Sequence, residues 1–398
     1  MTDAGSDLDL QAEVFANFQF EIYAGGVEGQ LPRLPMSAAV LEERAREALG
    51  EGAYGYVAGG AGSERTVRAN LDAFERWQIV PRMLRDVSVR DLGTSLLGTA
   101  LPAPLMLAPI GVQSIVHAEA ELASARAAAT VGLPFIHSTA ASRSIEDVAE
   151  AMGEAARWYQ LYWPRDRELA ASFIERAQRA GYRTVVVTLD TWLLGWRPRD
   201  LGNAYLPFLR GEGVANYFSD PVFRAALDKP PEEDLATAVA HWAYQFSNPN
   251  VTWQDLEWLR EQTALPIVLK GILHADDARR AVDAGVDGLV VSNHGGRQVD
   301  GAIGALDALP AVRAAVGPEL PVLFDSGVRT GSDVFKALAL GADCACVGRP
   351  YIWGLAIDGQ QGVEHVLRCL LAELDLTLAL SGHTHVAQID GDALARRA

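Results

Sequence analysis

His294 and Arg297 stand three residues apart at the end of an apolar run, in the block Ser292-Asn293-His294-Gly295-Gly296-Arg297. An imidazole can take a proton near neutral pH. A guanidinium can bind a carboxylate through two parallel hydrogen bonds. A base beside a carboxylate anchor suits proton removal from a 2-hydroxy acid. Asp190 ends another apolar run and can orient the imidazole while favouring its protonated form. Arg197, seven residues past Asp190, offers a second anchor for the same carboxylate. Lys270 ends a third run and can place a positive charge beside a cofactor that becomes anionic on reduction. Asp325-Ser326-Gly327-Val328-Arg329 and Gly348-Arg349-Pro350 end two further runs. Their glycines let backbone approach a ligand and their arginines offer forked donors, a phosphate-site pattern.

Taken singly, each residue has a plainer explanation. A lone lysine at a strand end is more often solvated or paired, and a lone histidine more often structural. Here six run ends share the pattern, including Gln160-Leu161-Tyr162 and Thr188-Leu189-Asp190. One common site accounts for all of them.

Positioning these residues requires the runs to be parallel strands. Eight are visible: Leu105–Ile110, Phe135–Thr139, Arg157–Tyr162, Thr184–Asp190, Pro266–Ile272, Gly288–His294, Pro321–Gly327 and Asp343–Pro350. Their starts lie 22 to 33 residues apart, apart from one step of 82. Each short step leaves room for one amphipathic helix, as in right-handed βαβ units. Ser144-Ile145-Glu146-Asp147 opens one such helix. Asp276–Gly285 and Ser332–Gly341 end others on capping glycines. The expected fold is α/β, a (β/α)₈ TIM barrel whose strand ends converge on one face. Residues 36–380 form the barrel domain with an N-terminal helical extension. Residues 191–252 are a long loop after strand 4, of the kind that makes a lid. Residues 1–35 are expected to be a partly disordered tail, and residues 381–398 a C-terminal tail.

Composition excludes several functions. Hydrophobic residues make up 49% of the 398 and charged residues 21%, enough for a large core and against general disorder. The net charge of −17, with no long basic run, argues against nucleic acid and anionic membrane surfaces. The longest stretch free of Asp, Glu, Lys and Arg, residues 92–118, holds three prolines and a histidine and makes a poor membrane span. The acidic start lacks the features of a signal peptide. Three cysteines are too few for a disulfide framework, and Cys344 and Cys346 are expected to pack as small hydrophobes. A soluble, reduced, cytoplasmic protein follows. Gly50-Glu51-Gly52-Ala53-Tyr54-Gly55 fits a dinucleotide fingerprint, but the preceding Leu41–Leu49 reads as helix where the fingerprint needs a strand. His383 and His385 are two histidines in a solvated tail, and no metal site is expected.

The chain resembles the FMN-dependent family that oxidises 2-hydroxy acids. The resemblance runs from about Ala53 to about Leu371. Ser292–Gln298 (SNHGGRQ), Asp325–Leu338 (DSGVRTGSDVFKAL) and Gly348-Arg349-Pro350 carry it most specifically. Tyr56–Gly60, Pro81–Leu84, Ala108–Gly111, Leu189–Leu201 and Pro207–Gly211 bring it nearest to the lactate 2-monooxygenase branch. The resemblance implies a base, His294, paired with Asp190. It implies that Arg197 and Arg297 hold the substrate carboxylate with help from Tyr56, and that Tyr162 contacts the hydroxyl. Pro109, Ile110 and Gly111 would line FMN, with Ser138, Gln160, Thr188 and Ser292 at its ring. Lys270 would stabilise its reduced anion. Asp325, Gly327, Arg329, Gly348 and Arg349 would hold ribityl and phosphate. Two positions depart from the family's oxidases. Gly111 matches the monooxygenase, where many oxidases have alanine. Ala140 stands where glycolate oxidases carry Trp, which admits a bulkier acid than lactate.

The implied reaction is oxidation of a small L-2-hydroxy acid with molecular oxygen, with lactate giving acetate, carbon dioxide and water. The alternatives are an oxidase that releases the 2-oxo acid and hydrogen peroxide, a dehydrogenase with another acceptor, and a flavin-free phosphate-binding lyase or isomerase. A homo-oligomer, tetrameric or larger, is also implied.

Overall fold

The computed structural model describes residues 14–397. Eight parallel strands close into a barrel. They are β1 (Leu105–Leu107), β2 (Phe135–Ser138), β3 (Arg157–Leu161), β4 (Val185–Thr188), β5 (Ile267–Ile272), β6 (Gly288–Val291), β7 (Val322–Phe324) and β8 (Cys344–Val347). β-branched and aliphatic residues buried on both faces favour strands of this kind. Each strand pairs with its sequence neighbours, and β8 closes on β1. Helices fill the intervals, and Ser144 and Asp147 form a reciprocal capping box at the start of Ile145–Met152.

The barrel interior is a separate apolar cluster that includes Met106, Ile136, Trp158, Val186, Val268, Val290, Leu323, Cys344 and Cys346. The two cysteines pack there as small hydrophobes. A hairpin of Thr94–Leu96 and Thr99–Leu101 adds Leu96 and Leu101 to this cluster. Its turn residues Leu97 and Gly98 both have positive φ, 48° and 74°, the geometry of a tight two-residue hairpin. The extension before β1 thus closes the barrel beside Trp158, whose indole donates to Thr99 Oγ1 at 3.3 Å.

Most expected strands ran longer than the observed ones. Asp190, His294, Gly327 and Pro350 lie beyond the ladder, where the chain turns to present side chains.

Three segments lie outside the strand-helix rhythm. The stretch 191–252 is a chain of short helices, Pro198–Gly202, Pro207–Arg210, Ala215–Phe218 and Pro221–Ala225, then the longer Leu235–Phe246. Aspartates at 220 and 234 cap the last two. A buried network fixes it to the barrel. Arg176 Nη1 donates to Asn216 O at 2.9 Å and to Asp220 Oδ2 at 3.0 Å. Asn216 Nδ2 donates to the carbonyls of Ser138 and Thr139, both at 3.1 Å.

The N-terminal tail, expected to be partly disordered, holds a helix, Asn17–Val27, within the described residues. Phe18 lies 4.0 Å beneath the Arg368 guanidinium, which anchors the helix on Arg349–Leu380. Residues 1–13 lie outside the described residues.

The C-terminal segment is packed rather than solvated, because Val386, Ile389 and Ala393 are buried. His383 is also buried, its Nδ1 2.9 Å from Ser381 Oγ and its ring 5.7 Å from Phe335. Leu394–Arg396 then pairs antiparallel with Trp77–Ile79.

Candidate active site

The C-terminal ends of the strands surround one cleft of about 280 Å³. After β6 the chain turns sharply. His294 has φ 59°, and Gly295 and Gly296 follow at 64° and 77°. Left-handed backbone in a non-glycine residue costs roughly 1–3 kcal/mol and persists where surroundings hold it. Here Ser292 Oγ accepts from His294 N at 3.0 Å, and Ser326 Oγ accepts from Gly295 N at 3.0 Å. Asn293 bonds with Asn70 in both directions, at 2.8 Å and 2.6 Å.

This turn points the imidazole into the cleft. His294 Nδ1 lies 2.7 Å from Asp190 Oδ1 and 3.0 Å from Thr191 Oγ1. Thr191 also donates to Asp190 Oδ1 at 2.9 Å. The contact to a carboxylate assigns the proton to Nδ1 and leaves the Nε2 lone pair free. Burial lowers the His294 pKa, and the Asp190 charge offsets this only in part. Burial alone would raise Asp190, but His294 and Lys270 outweigh it and hold the carboxyl at about 2. Neutral imidazole beside an ionised carboxylate is a base poised to accept one proton. Gly271, at φ 109°, clears the way, since a Cβ there would lie 2.9 Å from Asp190.

Cations surround the base. Lys270 is buried, donates to Ser292 Oγ at 2.8 Å and pairs with Asp325 Oδ2 at 3.1 Å. Burial opposes its charge, but Asp325 and Asp190 more than compensate and raise its pKa. Arg197 donates to Arg297 O at 3.1 Å and to Gln298 Oε1 at 2.8 Å. Burial first, then the neighbouring Arg297, lowers its pKa to about 10, so it stays charged. Arg297 donates to Gly59 O at 3.1 Å and sits 4.9 Å from the Tyr56 ring centroid. Burial and then Asp190 push the Tyr162 hydroxyl up, so it remains a donor.

Pro109, Ile110, Gly111, Ser138, Lys270, Asp325, Gly327, Arg329, Gly348 and Arg349 all line the same cleft. So do Tyr56, Tyr162, Arg197, His294 and Arg297. Four expected residues lie just behind the lining. Asp190 bonds to His294, Ser292 accepts from Lys270, Thr188 pairs with Lys270 in the sheet, and Gln160 accepts from Ser138 Oγ at 2.9 Å. Arg349 differs in detail from a phosphate clamp. Its guanidinium donates to the carbonyls of Val57, Gly59 and Gly295, at 2.9, 2.9 and 3.0 Å. It ties the extension to the base-bearing turn. Thr191, Gln298 and Ser326 carry the site's geometry and escaped sequence reasoning, because a hydroxyl or amide beside a strand end has no distinguishing pattern.

The residues present fit a phosphorylated flavin. Among the described residues, the Arg329 guanidinium has no carboxylate in ion-pair range and donates only to Val328 O at 3.0 Å. The helix Arg349–Leu380 begins at Gly348 with no side-chain cap, which leaves backbone N–H groups for an anion. Gln160 Nε2 is buried with no partner.

A cleft at the strand ends, with more guanidinium and ammonium groups than carboxylates around one free imidazole, defines an enzyme class: a barrel oxidoreductase or lyase for anionic substrates. The chain belongs to the FMN-dependent dehydrogenase family, whose description matches residues 45–396. FMN is its cofactor, and it is an FMN-dependent 2-hydroxy-acid oxidoreductase. It is 47% identical to an FMN-dependent alpha-hydroxy acid dehydrogenase of Penicillium citrinum, over 96% of each chain. It is 46% identical to an L-lactate oxidase of Lysinibacillus sphaericus, over 90% of this chain and 92% of the relative. A crystal structure of mandelate oxidase superposes with a TM-score of 0.80 at 39% identity, covering 91% of this chain and 98% of that one.

Proposed function

We propose that the protein is an L-2-hydroxy-acid oxidase that uses molecular oxygen and releases a 2-oxo acid and hydrogen peroxide. The observation that carries this reading is the free Nε2 of His294, held by Asp190 in a cleft with Arg197 and Arg297. The two guanidinium groups bind the substrate carboxylate, and Tyr56 steadies Arg297 through its ring. Tyr162 donates to the substrate hydroxyl. His294 Nε2 accepts the proton the substrate gives up, and Asp190 stabilises the imidazolium that results. Pro109, Ile110, Gly111, Ser138, Gln160 and Thr188 would hold the flavin ring, and Arg329 with Asp325, Gly327, Gly348 and the backbone of Arg349 its ribityl phosphate. FMN supplies the two-electron acceptor. Lys270, kept charged by Asp325, favours negative charge at its side of the cleft.

Relatives described as L-lactate oxidase and 2-hydroxyacid oxidase support the oxygen acceptor. Anaerobic mixing with an L-2-hydroxy acid should bleach the yellow enzyme, and air should then yield equimolar 2-oxo acid and peroxide. A yellow enzyme that no such acid reduces would end this reading, and slow reoxidation in air would point to another acceptor.

A second reading is oxidative decarboxylation, in which lactate and oxygen give acetate, carbon dioxide and water. Gly111 and the helical segment over the cleft favour it, since enclosure keeps the 2-oxo acid beside the peroxide that cleaves it. Acetate and carbon dioxide without free peroxide would select it. No helix among the described residues is long and apolar enough to cross a membrane. Free Cys344, Cys346 and Cys369 fit the cytoplasm, and exposed Leu193, Leu194 and Trp196 fit a homo-oligomer.

A further inference from the structure

The cleft has two chemically different sides. The strand ends supply cations and the base. The segment between β4 and β5 supplies an apolar wall whose main parts are Leu206, Phe208, Trp242 and Phe246. From residue 200 to 252, no described lining residue carries a charge.

The rings of this wall are continuous with the reacting end. Phe246 meets Tyr162 edge-on, with centroids 5.0 Å apart. Trp242 lies 5.3 Å from Phe246 and stacks on Phe208 at 4.8 Å. Phe208 meets Tyr56 edge-on at 6.4 Å. Each of the two tyrosines assigned above to the substrate therefore has a ring of this wall against it. Ala140 lines the same cleft and contributes only a methyl. The wall is also fixed in place, because Asn216 and Arg176 tie its segment to the end of β2.

We propose that Phe208, Trp242 and Phe246 form the side-chain subsite, and that the preferred substrates are 2-hydroxy acids bearing an aryl or other bulky apolar group. This rests on the hydroxy-acid oxidation proposed above. A methyl side chain leaves the rings facing unfilled space and forgoes their dispersion contacts. An aryl group fills that space and adds edge-to-face contacts. A second carboxylate, as in a hydroxy diacid, would meet three rings and no cation, an uncompensated buried charge.

The test uses the holoenzyme and five acids: L-3-phenyllactate, L-mandelate, L-lactate, glycolate and L-malate. One methylene-sized group in an apolar pocket is worth roughly tenfold or more in kcat/KM. At least one aryl acid should exceed L-lactate by tenfold or more, with glycolate and malate below lactate. Preference for lactate or glycolate over both aryl acids overturns the subsite, as does malate turnover equal to that of the aryl acids. Phe246→Ala and Trp242→Leu should each lower the aryl-to-lactate ratio of kcat/KM at least tenfold, mainly through KM. An unchanged ratio in both overturns the assignment. Should either variant fail to fold, titration of wild-type flavin absorbance replaces it. Phenylpyruvate binding at least tenfold tighter than pyruvate supports the subsite, and equal affinities overturn it. If lactate bleaches the flavin and the aryl acids do not, the subsite alone falls. If none of the five does, the proposed reaction falls with it.

Discussion

His294 Nδ1 and Asp190 Oδ1 are 2.7 Å apart, and Thr191 Oγ1 lies within 3.0 Å of both. Three groups from two strand ends thus share one hydrogen-bonded triangle, and the only ring nitrogen left free is Nε2. His294→Ala should slow flavin reduction by roughly 10²- to 10⁴-fold, the range for loss of a general base. Stopped-flow absorbance under anaerobic conditions measures this. Reduction at the wild-type rate would remove His294 from the chemistry.

The pH dependence follows from the same triangle. In the proposed function the base acts as neutral imidazole, so the rate should fall as pH drops through its pKa. Burial holds that pKa below the ordinary histidine value, about 6.5, so reduction should be on its plateau at neutral pH and decline only on the acid side. Asp190→Asn removes the group that pulls the pKa upward. Its acid limb should move to lower pH while its plateau rate falls. A limb displaced upward in that variant contradicts the assignment.

Arg297→Met should raise the KM for the hydroxy acid and lower kcat/KM by about 10- to 100-fold, consistent with roughly 1.5–3 kcal/mol for a charge-assisted hydrogen bond. Steady-state kinetics read this directly. Flavin content of the purified variant should be unaltered, because the proposed function places Arg297 at the substrate carboxylate and not at the phosphate.

Arg329→Met tests the phosphate end. Loss of a guanidinium that has no carboxylate partner and a single backbone acceptor should weaken FMN binding by about 10- to 100-fold, on the same 1.5–3 kcal/mol scale. Equilibrium titration of apoprotein measures it. Riboflavin, which lacks the phosphate, should bind wild type and variant alike.

Gly111→Ala places a Cβ 2.0 Å from the Ala140 carbonyl oxygen, so the backbone must shift. Overpacking of this kind costs about 1–3 kcal/mol. Thermal unfolding should register it, along with a lower flavin-to-protein ratio. A variant with wild-type melting temperature and flavin content would show that the two loops separate freely.

Much of the site was legible because chemistry and secondary structure coincide in this fold. Lys270, His294, Asp325 and Arg349 each follow an apolar run, and closing the barrel necessarily brings such ends together. The segment from 191 to 252 was not legible in the same way. Its helices are four or five residues long up to Ala225, too short to show a period, and they hold through tertiary contacts such as Arg176 to Asn216. Phe208 meets Trp242 and Phe246, from the longer helix Leu235–Phe246, only through that tertiary packing. His383 was misplaced for a related reason: its burial comes from Phe335, almost fifty positions upstream, and not from any neighbour in sequence.

The antiparallel pairing of Leu394–Arg396 with Trp77–Ile79 has a practical consequence. These two short strands are a sheet of their own, so among the described residues each is the other's only strand partner. Trimming the last few residues would leave Trp77–Ile79 as a bare edge with unsatisfied backbone groups, a template for intermolecular pairing. Shortened versions are therefore expected to clump during purification even when every group in the cleft is intact, and handles for surface attachment belong away from that terminus.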